Sequence, residues 1–328
     1  MIDNTISRRL ITIPVVVVMF LLVSVGLPFL IATGLLVDLA RAGLSGRPAM
    51  ASRLIVFLWL YLLGEMLALL ALAFAGLHSH DRAVDLTYRF QAVWAAWNLN
   101  AIEQVFGLTF VAEGLDQVPP PPILLLARHA SLIDTMLPAR YVARDHGIML
   151  RYVLKKQLLI DPALDIGGNR LPNHFVDRGS GDTESEIASI RALGAGMSDA
   201  EGILIYPEGT RYSEEKRVRY VGSLLRKGGP LAEIAAGFER VLPPRSGGTL
   251  ALLDATTADV VVLAHRGLEG LATVKDIWSG ELIGSRIDVK LWRVSRAGIP
   301  RDRSARVEWL YRLWGDVDHW VSERRRVG

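Results

Sequence analysis

His129 and Asp134 stand five positions apart, and they are the residue types that a proton transfer needs. An imidazole with the ordinary pKa of about 6.5 takes a proton from an attacking hydroxyl at neutral pH. A carboxylate on its other ring N–H fixes the tautomer and steadies the imidazolium, provided the chain turns soon after the histidine. Two plainer readings stay open on these residues alone: a strand-end histidine satisfied by one hydrogen bond, and an acid in a first helical turn, where the helix dipole favours it. His80 and Asp85 repeat the spacing, behind a hydrophobic span and with no strand to deliver them. Spacing does not choose between the two pairs. The elements around them do.

Ile123 to Ala127 form an unbroken apolar run behind four prolines, Pro119 to Pro122. Such a run reads as a strand buried on both faces, so His129 emerges at a strand end, where α/β sheets carry their chemistry. A second apolar run, Gly202 to Tyr206, leads into the turn Pro207-Glu208-Gly209-Thr210-Arg211. Candidate strands cover 123 to 128, 147 to 155, 202 to 207, 259 to 264 and 287 to 293; helices are expected over 133 to 144, 183 to 197, 228 to 240 and 304 to 322. That alternation predicts an α/β fold, a layered mixed sheet flanked by helices. Residues 241 to 248, with two prolines and two glycines, read as a loop.

Three ordered motifs, His129-x-x-x-x-Asp134, Phe175-Val-Asp-Arg178 and Tyr206-Pro-Glu-Gly-Thr-Arg211, resemble those of the glycerolipid acyltransferases, whose type member acylates lysophosphatidate. Ser213-Glu-Glu-Lys216, Leu242-Pro-Pro-Arg-Ser-Gly-Gly248 and Trp309-Leu-Tyr-Arg-Leu-Trp314 are similar to the branch that holds the lysocardiolipin and several 1-acylglycerol-3-phosphate acyltransferases. The resemblance spans residues 90 to 321. It implies transfer of a fatty acyl group from a thioester donor, acyl-CoA or acyl-ACP, to the sn-2 hydroxyl of lysophosphatidate, giving phosphatidate. His129 would be the general base and Asp134 its orienter. Arg178, Glu208, Gly209, Thr210 and Arg211 would surround the acceptor phosphate: arginine through its planar fork, Gly209 by letting backbone N–H groups approach the anion, Thr210 by its hydroxyl, and Glu208 by holding an arginine or the glycerol. Lys227 and Arg245 are weaker candidates for a phosphate or coenzyme A contact. Arg128 stands where relatives commonly carry asparagine, and Ala130 where a polar residue is frequent, changes that bear on acceptor choice or local hydrogen bonding.

The chain contains no Gly-x-Ser-x-Gly elbow and no cysteine, so a covalent acyl-enzyme has little support and the acceptor hydroxyl is itself the nucleophile. Ser131, the nearby alternative, has an ordinary job as a helix N-cap. No His-Glu-x-x-His or cysteine pair suggests a metal, and no resident cofactor is implied. The formal charge of +3 gives no indication of a nucleic-acid partner.

Hydrophobic residues make up 51% of the 328, mean hydropathy is +0.29, and the excess lies before residue 78. Residues 10 to 37 are 28 positions without a charge, and residues 54 to 77 are 24 interrupted only by Glu65. Both exceed the roughly 20 residues that span a bilayer, although the first is long enough to tilt, kink at Gly26 and Pro28, or re-enter. The expected organisation is an N-terminal pair of membrane helices within 1–81 and an acyltransferase domain over 82–328. Arginines flank both sides of each run, so charge does not set the orientation; a cytosolic donor implies a catalytic domain on the cytoplasmic face. Residues 82 to 112 carry Phe90, Trp94, Trp97, Leu99, Ile102 and Phe106 at helical spacing, suiting a helix on the lipid surface or one packed on the sheet. Membrane lipids, the lysophospholipid and the acyl thioester, with acyl carrier protein as one donor carrier, are the expected partners. Another lysolipid, such as lysophosphatidylglycerol or lysocardiolipin, is the alternative acceptor. A catalytically silent lipid-binding scaffold is the alternative of another class.

Overall fold

Seven strands form one sheet among the residues that the computed structural model describes, 4–176, 183–269 and 274–323. They are β1 (Thr109–Glu113), β2 (Ile123–Ala127), β3 (Met149–Lys155), β4 (His174–Val176), β5 (Glu201–Ile205), β6 (Asp259–Arg266) and β7 (Arg286–Val294). Their order is β1-β7-β6-β2-β5-β3-β4, and only β6 and β7 are antiparallel. All five residues of β2 are buried, which explains the lack of alternation in its sequence. Ile123, Leu125 and Ala127 enter the core on one face, with Leu99, Ile102 and Phe106; Leu124 and Leu126 enter the core on the other, with Leu250, Leu310 and Trp314. Each buried leucine contributes about 1.5–3 kcal/mol, so β2 is strongly held in register. The end of β2 is therefore a rigid place to mount a side chain.

Helix α3 (His80–Phe106) supplies Leu99, Ile102 and Phe106 to that core, so the tryptophan-bearing segment packs against the sheet. Trp97 donates its ring N–H to the Leu60 carbonyl of α2 (Ala51–Ala75) at 3.1 Å. Its ring presses on Gly64, where a Cβ would lie 2.9 Å from the indole. Glu65, on the same helix, is fully buried beside Asp161 and Trp94. Asp38, near the end of α1 (Thr5–Ser45), accepts the N–H groups of Met50, Ala51 and Ser52 at 2.8, 2.7 and 2.9 Å, which caps the start of α2 from the preceding helix.

Both α1 and α2 are long and apolar enough to cross a membrane, and the most apolar stretch of α1 has none of its residues buried. Both ends of α1 are nevertheless tied to the rest of the chain. Arg8 bonds the Asp165 carboxylate at 2.8 and 3.1 Å, on α4 (Pro162–Arg170), and Arg9 bonds the same carboxylate at 3.2 Å and the Asp165 carbonyl at 3.1 Å. Thirty-odd residues later Arg41 bonds the Trp278 carbonyl at 3.0 Å and stacks 4.2 Å above that indole, on α9 (Val274–Ser279).

The helix expected over 133 to 144 is present but irregular: a 3-10 turn, Asp134–Met136, leads into a π-helix, Ala139–Arg144. The expected loop over 241 to 248 ends early, because α8 (Ser246–Ala255) begins inside it. The expected helix over 228 to 240 shortens to α7 (Pro230–Ala236), with Gly229 before it and Gly237 after it. The helices α5 (Thr183–Ala195) and α10 (Arg303–Glu323) lie close to expectation. The sequence reading omitted β1, β4 and the polar helix α6 (Glu214–Lys227). The two strands are short and α6 is rich in charge, so their apolar patterns are weak.

Candidate active site

The ladder between β2 and β6 continues one residue past β2, with the Arg128 N–H on the Leu263 carbonyl at 3.0 Å. The Arg128 side chain is fully buried and bonds the His265 carbonyl at 2.7 Å, Glu269 at 2.6 Å and the Arg240 carbonyl at 2.7 Å. It braces the segments behind the site and does not line the cavity. His129 comes next. Its Nδ1 lies 2.9 Å from Asp134 Oδ1, while Asp134 Oδ2 accepts the N–H groups of Ala130 at 2.6 Å and Ser131 at 2.7 Å. The turn is thus wound around the carboxylate, and a 3-10 turn does what a helix was expected to do. Ser131 Oγ accepts the Ile133 N–H at 2.8 Å, a local capping bond.

Burial pushes the Asp134 carboxyl up, but the hydrogen bond from His129 and the facing ring of His265 prevail and hold it well below the usual carboxylate range. An ionised Asp134 accepts from Nδ1–H, which leaves the lone pair of His129 on Nε2. The ring rests against Tyr206, with centroids 4.6 Å apart, and lines a cavity of about 1110 Å³. That is the geometry of a base with one nitrogen held and the other facing a ligand space.

The turn after β5 closes around the main chain of His129. Glu208 accepts the His129 N–H on Oε1 and the Leu242 N–H on Oε2, both at 3.0 Å, while the Tyr212 N–H bonds the His129 carbonyl at 2.7 Å. Glu208 is fully buried and absent from the cavity wall, so its place differs from the expected substrate contact: it joins three segments of backbone. Burial pushes its carboxyl up to about 7, against the Arg128 charge and the two N–H donors. Thr210 Oγ1 accepts from Lys216 at 3.2 Å and also lies off the wall. Gly209 and Arg211 do line the cavity. Gly209 has φ +67, and a Cβ there would meet Arg245 Cδ at 2.9 Å, so glycine alone lets Arg245 lie across the turn. Arg245, weighed only weakly from sequence, shares the wall with Arg211 and His129. Arg178 falls outside the described residues.

Leu54 and Phe57 of α2 and Trp94, Ile102 and Phe106 of α3 supply much of the apolar wall. The N-terminal helices and the sheet therefore build one cavity between them. The repeated spacing has no such setting: Asp85 is held by Arg82 at 3.1 Å and Arg89 at 3.3 Å, and His80 is exposed at the start of α3.

Residues 109–263 match the family model described as Acyltransferase. The matched stretch runs from β1 into β6 and takes in His129, Asp134 and the Pro207–Arg211 turn. The whole fold is similar to the crystal structure of the 1-acyl-sn-glycerophosphate (LPA) acyltransferase PlsC from Thermotoga maritima, with a TM-score of 0.52 and 16% identity over 83% of this chain and 98% of that one. At that identity the likeness is one of fold, and it reaches beyond residues 109–263. No curated protein matches the chain.

Sequence reasoning missed His265, which is fully buried in β6 with Nε2 3.3 Å from Asp134 Oδ2. Its only signal was an imidazole inside the apolar run Val260–Ala264 and Arg266.

Proposed function

We propose that the protein is a membrane-bound acyltransferase that moves a fatty acyl group from a thioester donor to the free sn-2 hydroxyl of lysophosphatidate. The observation that carries this reading is the His129–Asp134 pair, 2.9 Å apart, on the wall of a cavity that also presents Arg211 and Arg245. His129 Nε2 takes the hydroxyl proton as the acceptor oxygen bonds the thioester carbonyl carbon. The carbon–sulfur bond then breaks, and the imidazolium returns the proton to the departing sulfur. Arg211 and Arg245 grip the acceptor phosphate, and the apolar wall takes the acyl chain. The purified protein, offered lysophosphatidate, lysophosphatidylglycerol and lysocardiolipin with acyl-CoA and acyl-ACP, is expected to form phosphatidate as its main diacyl product by mass spectrometry. Preference for another lysolipid would reassign the acceptor, and no product from any pair would leave lipid binding as the activity. Arg211→Ala and Arg245→Ala are each expected to raise the KM for lysophosphatidate by about tenfold or more, with the thioester KM within about twofold of wild type.

The membrane reading rests on the exposed apolar length of α1 and the tethering of its two ends. Residues 8 and 41 are about 50 Å apart along a helix, well over the roughly 30 Å of hydrocarbon, yet both are anchored to the same catalytic body. A helix so held lies along one leaflet and keeps the body on one face of the membrane, which a cytosolic thioester donor would make the cytoplasmic one. The chain has no cysteine, so single substitutions Ser7→Cys and Ser45→Cys give clean reporters. In sealed vesicles with the catalytic body outward, a membrane-impermeant maleimide is expected to label both. Protection of one of them would mean that α1 crosses.

A further inference from the structure

The parallel ladder of β2 with β6 pairs Ile123 with Asp259 through Ala127 with Leu263, and the same offset carried two residues on sets His265 beside His129. Asp134 therefore stands between two imidazoles: Oδ1 is 2.9 Å from His129 Nδ1, and Oδ2 is 3.3 Å from His265 Nε2. The second contact is longer and off the ideal line, a ring dipole directed at the carboxylate more than a tight hydrogen bond. Neither ring nitrogen of His265 completes a well-aligned hydrogen bond, but Nε2 faces the Asp134 carboxylate at 3.3 Å, so the tautomer that carries its hydrogen on Nε2 is the one directed at an acceptor. A polar ring buried in this way costs stability unless it is used, and the mechanism above makes no use of it.

We propose that His265 is a positioning residue for acyl transfer: its Nε2–H steadies the Asp134 carboxylate and draws on its charge, which limits the basicity that Asp134 confers on His129. The proposal rests on the acyl-transfer reading for its consequence but not for its geometry. Around His265 the charged and titratable groups are Asp134 and Arg128 from the β2 side and Glu269 after β6; Val289 of β7 pairs with it, and Asp288 is engaged by Arg266 and Arg286. Around His129 they are Asp134, Glu208 and Tyr206, with Arg211 and Arg245 on the cavity wall. Loss of the His265 donor returns charge to the Oδ1 side of Asp134, which favours the His129 imidazolium. The acid limb of the rate profile then moves to higher pH, because more of the base is already protonated at a given pH.

The test pairs two polar replacements with an apolar one. Gln places its amide near the former Nε2 and keeps a donor for Asp134, whereas Asn falls short at the former Nδ1 and Leu has none. His265→Asn and His265→Leu are expected to raise the midpoint of the acid limb by about half a pH unit or more and to lower kcat about three- to tenfold, with both KM values within about twofold. His265→Gln is expected to track wild type. The same upward move is expected in the His129 titration followed by NMR of its Cε1–H, a measurement that needs no substrate. If the wild-type chain transfers no acyl group while the titration still moves in the Asn variant, the function assigned above falls and the coupling stands. A His129 titration that is unmoved by Asn, or moved equally by Gln, overturns the proposal, and the Asn–Gln comparison still reads if the Leu variant does not fold.

Discussion

His129→Ala is expected to lower kcat by about 10²- to 10⁴-fold while the protein stays folded, as read by thiol release from the donor and by thermal unfolding. The fold tolerates this change because the bonds of residue 129 to its surroundings run largely through its main chain, to Glu208 and from Tyr212. Only the ring contacts with Asp134 and Tyr206 are lost. Asp134→Asn is the sharper test of mechanism. The N–H groups of Ala130 and Ser131 are fixed donors, so the asparagine must give them its oxygen and turn its NH₂ toward His129 Nδ1. Nδ1 then has to accept, and the ring hydrogen moves to Nε2, where the lone pair was needed. A loss of about 10³- to 10⁴-fold is expected with the site geometry nearly intact. Because Asp134 is held well below the usual carboxylate range, its own protonation does not shape the acid limb of the wild-type enzyme. Near wild-type turnover by either variant would remove His129 as the base.

The parts of this site that were legible in sequence are those fixed by local physics. A run with no polar side chain reads as a strand covered on both faces, and Ile123 to Ala127 is one; the residue two beyond it therefore emerges at the end of that central strand. Asp134 could be named as a partner from reach alone, although the turn that brings it there is 3-10. The direction of a side chain was not legible. Glu208 sits in a turn that faces the cavity, and only three-dimensional packing shows that its carboxylate points at backbone from residues 129 and 242. His265 depends on strand register, an offset that no local pattern contains. The tether from Arg8 to Asp165 joins residues 157 positions apart, so the path of α1 was equally hidden.

Glu208→Ala is expected to destabilise the protein by about 2–6 kcal/mol and to abolish acyl transfer, although Glu208 touches no substrate. The reason is an accounting of donors. Truncation leaves the N–H groups of His129 and Leu242 without their acceptor in a buried place, at about 1–3 kcal/mol each. That is a large share of the 5–15 kcal/mol that holds a typical domain together. Glu208→Gln separates the brace from its charge: the amide oxygen serves one N–H, while the NH₂ opposes the other, so about half of the loss is expected. The pH dependence differs in the same way. A carboxyl raised to about 7 in the folded protein binds its proton more tightly there than when unfolded. Its contribution to stability is complete below the ordinary glutamate pKa and is lost as pH rises through about 7. Urea unfolding in detergent is therefore expected to show a midpoint that falls between pH 5 and 8 in the wild type and falls less steeply in the Gln variant. An Ala variant with a wild-type midpoint, or a Gln variant with an unaltered slope, would mean that the turn holds His129 by other contacts and that Glu208 is free to act elsewhere.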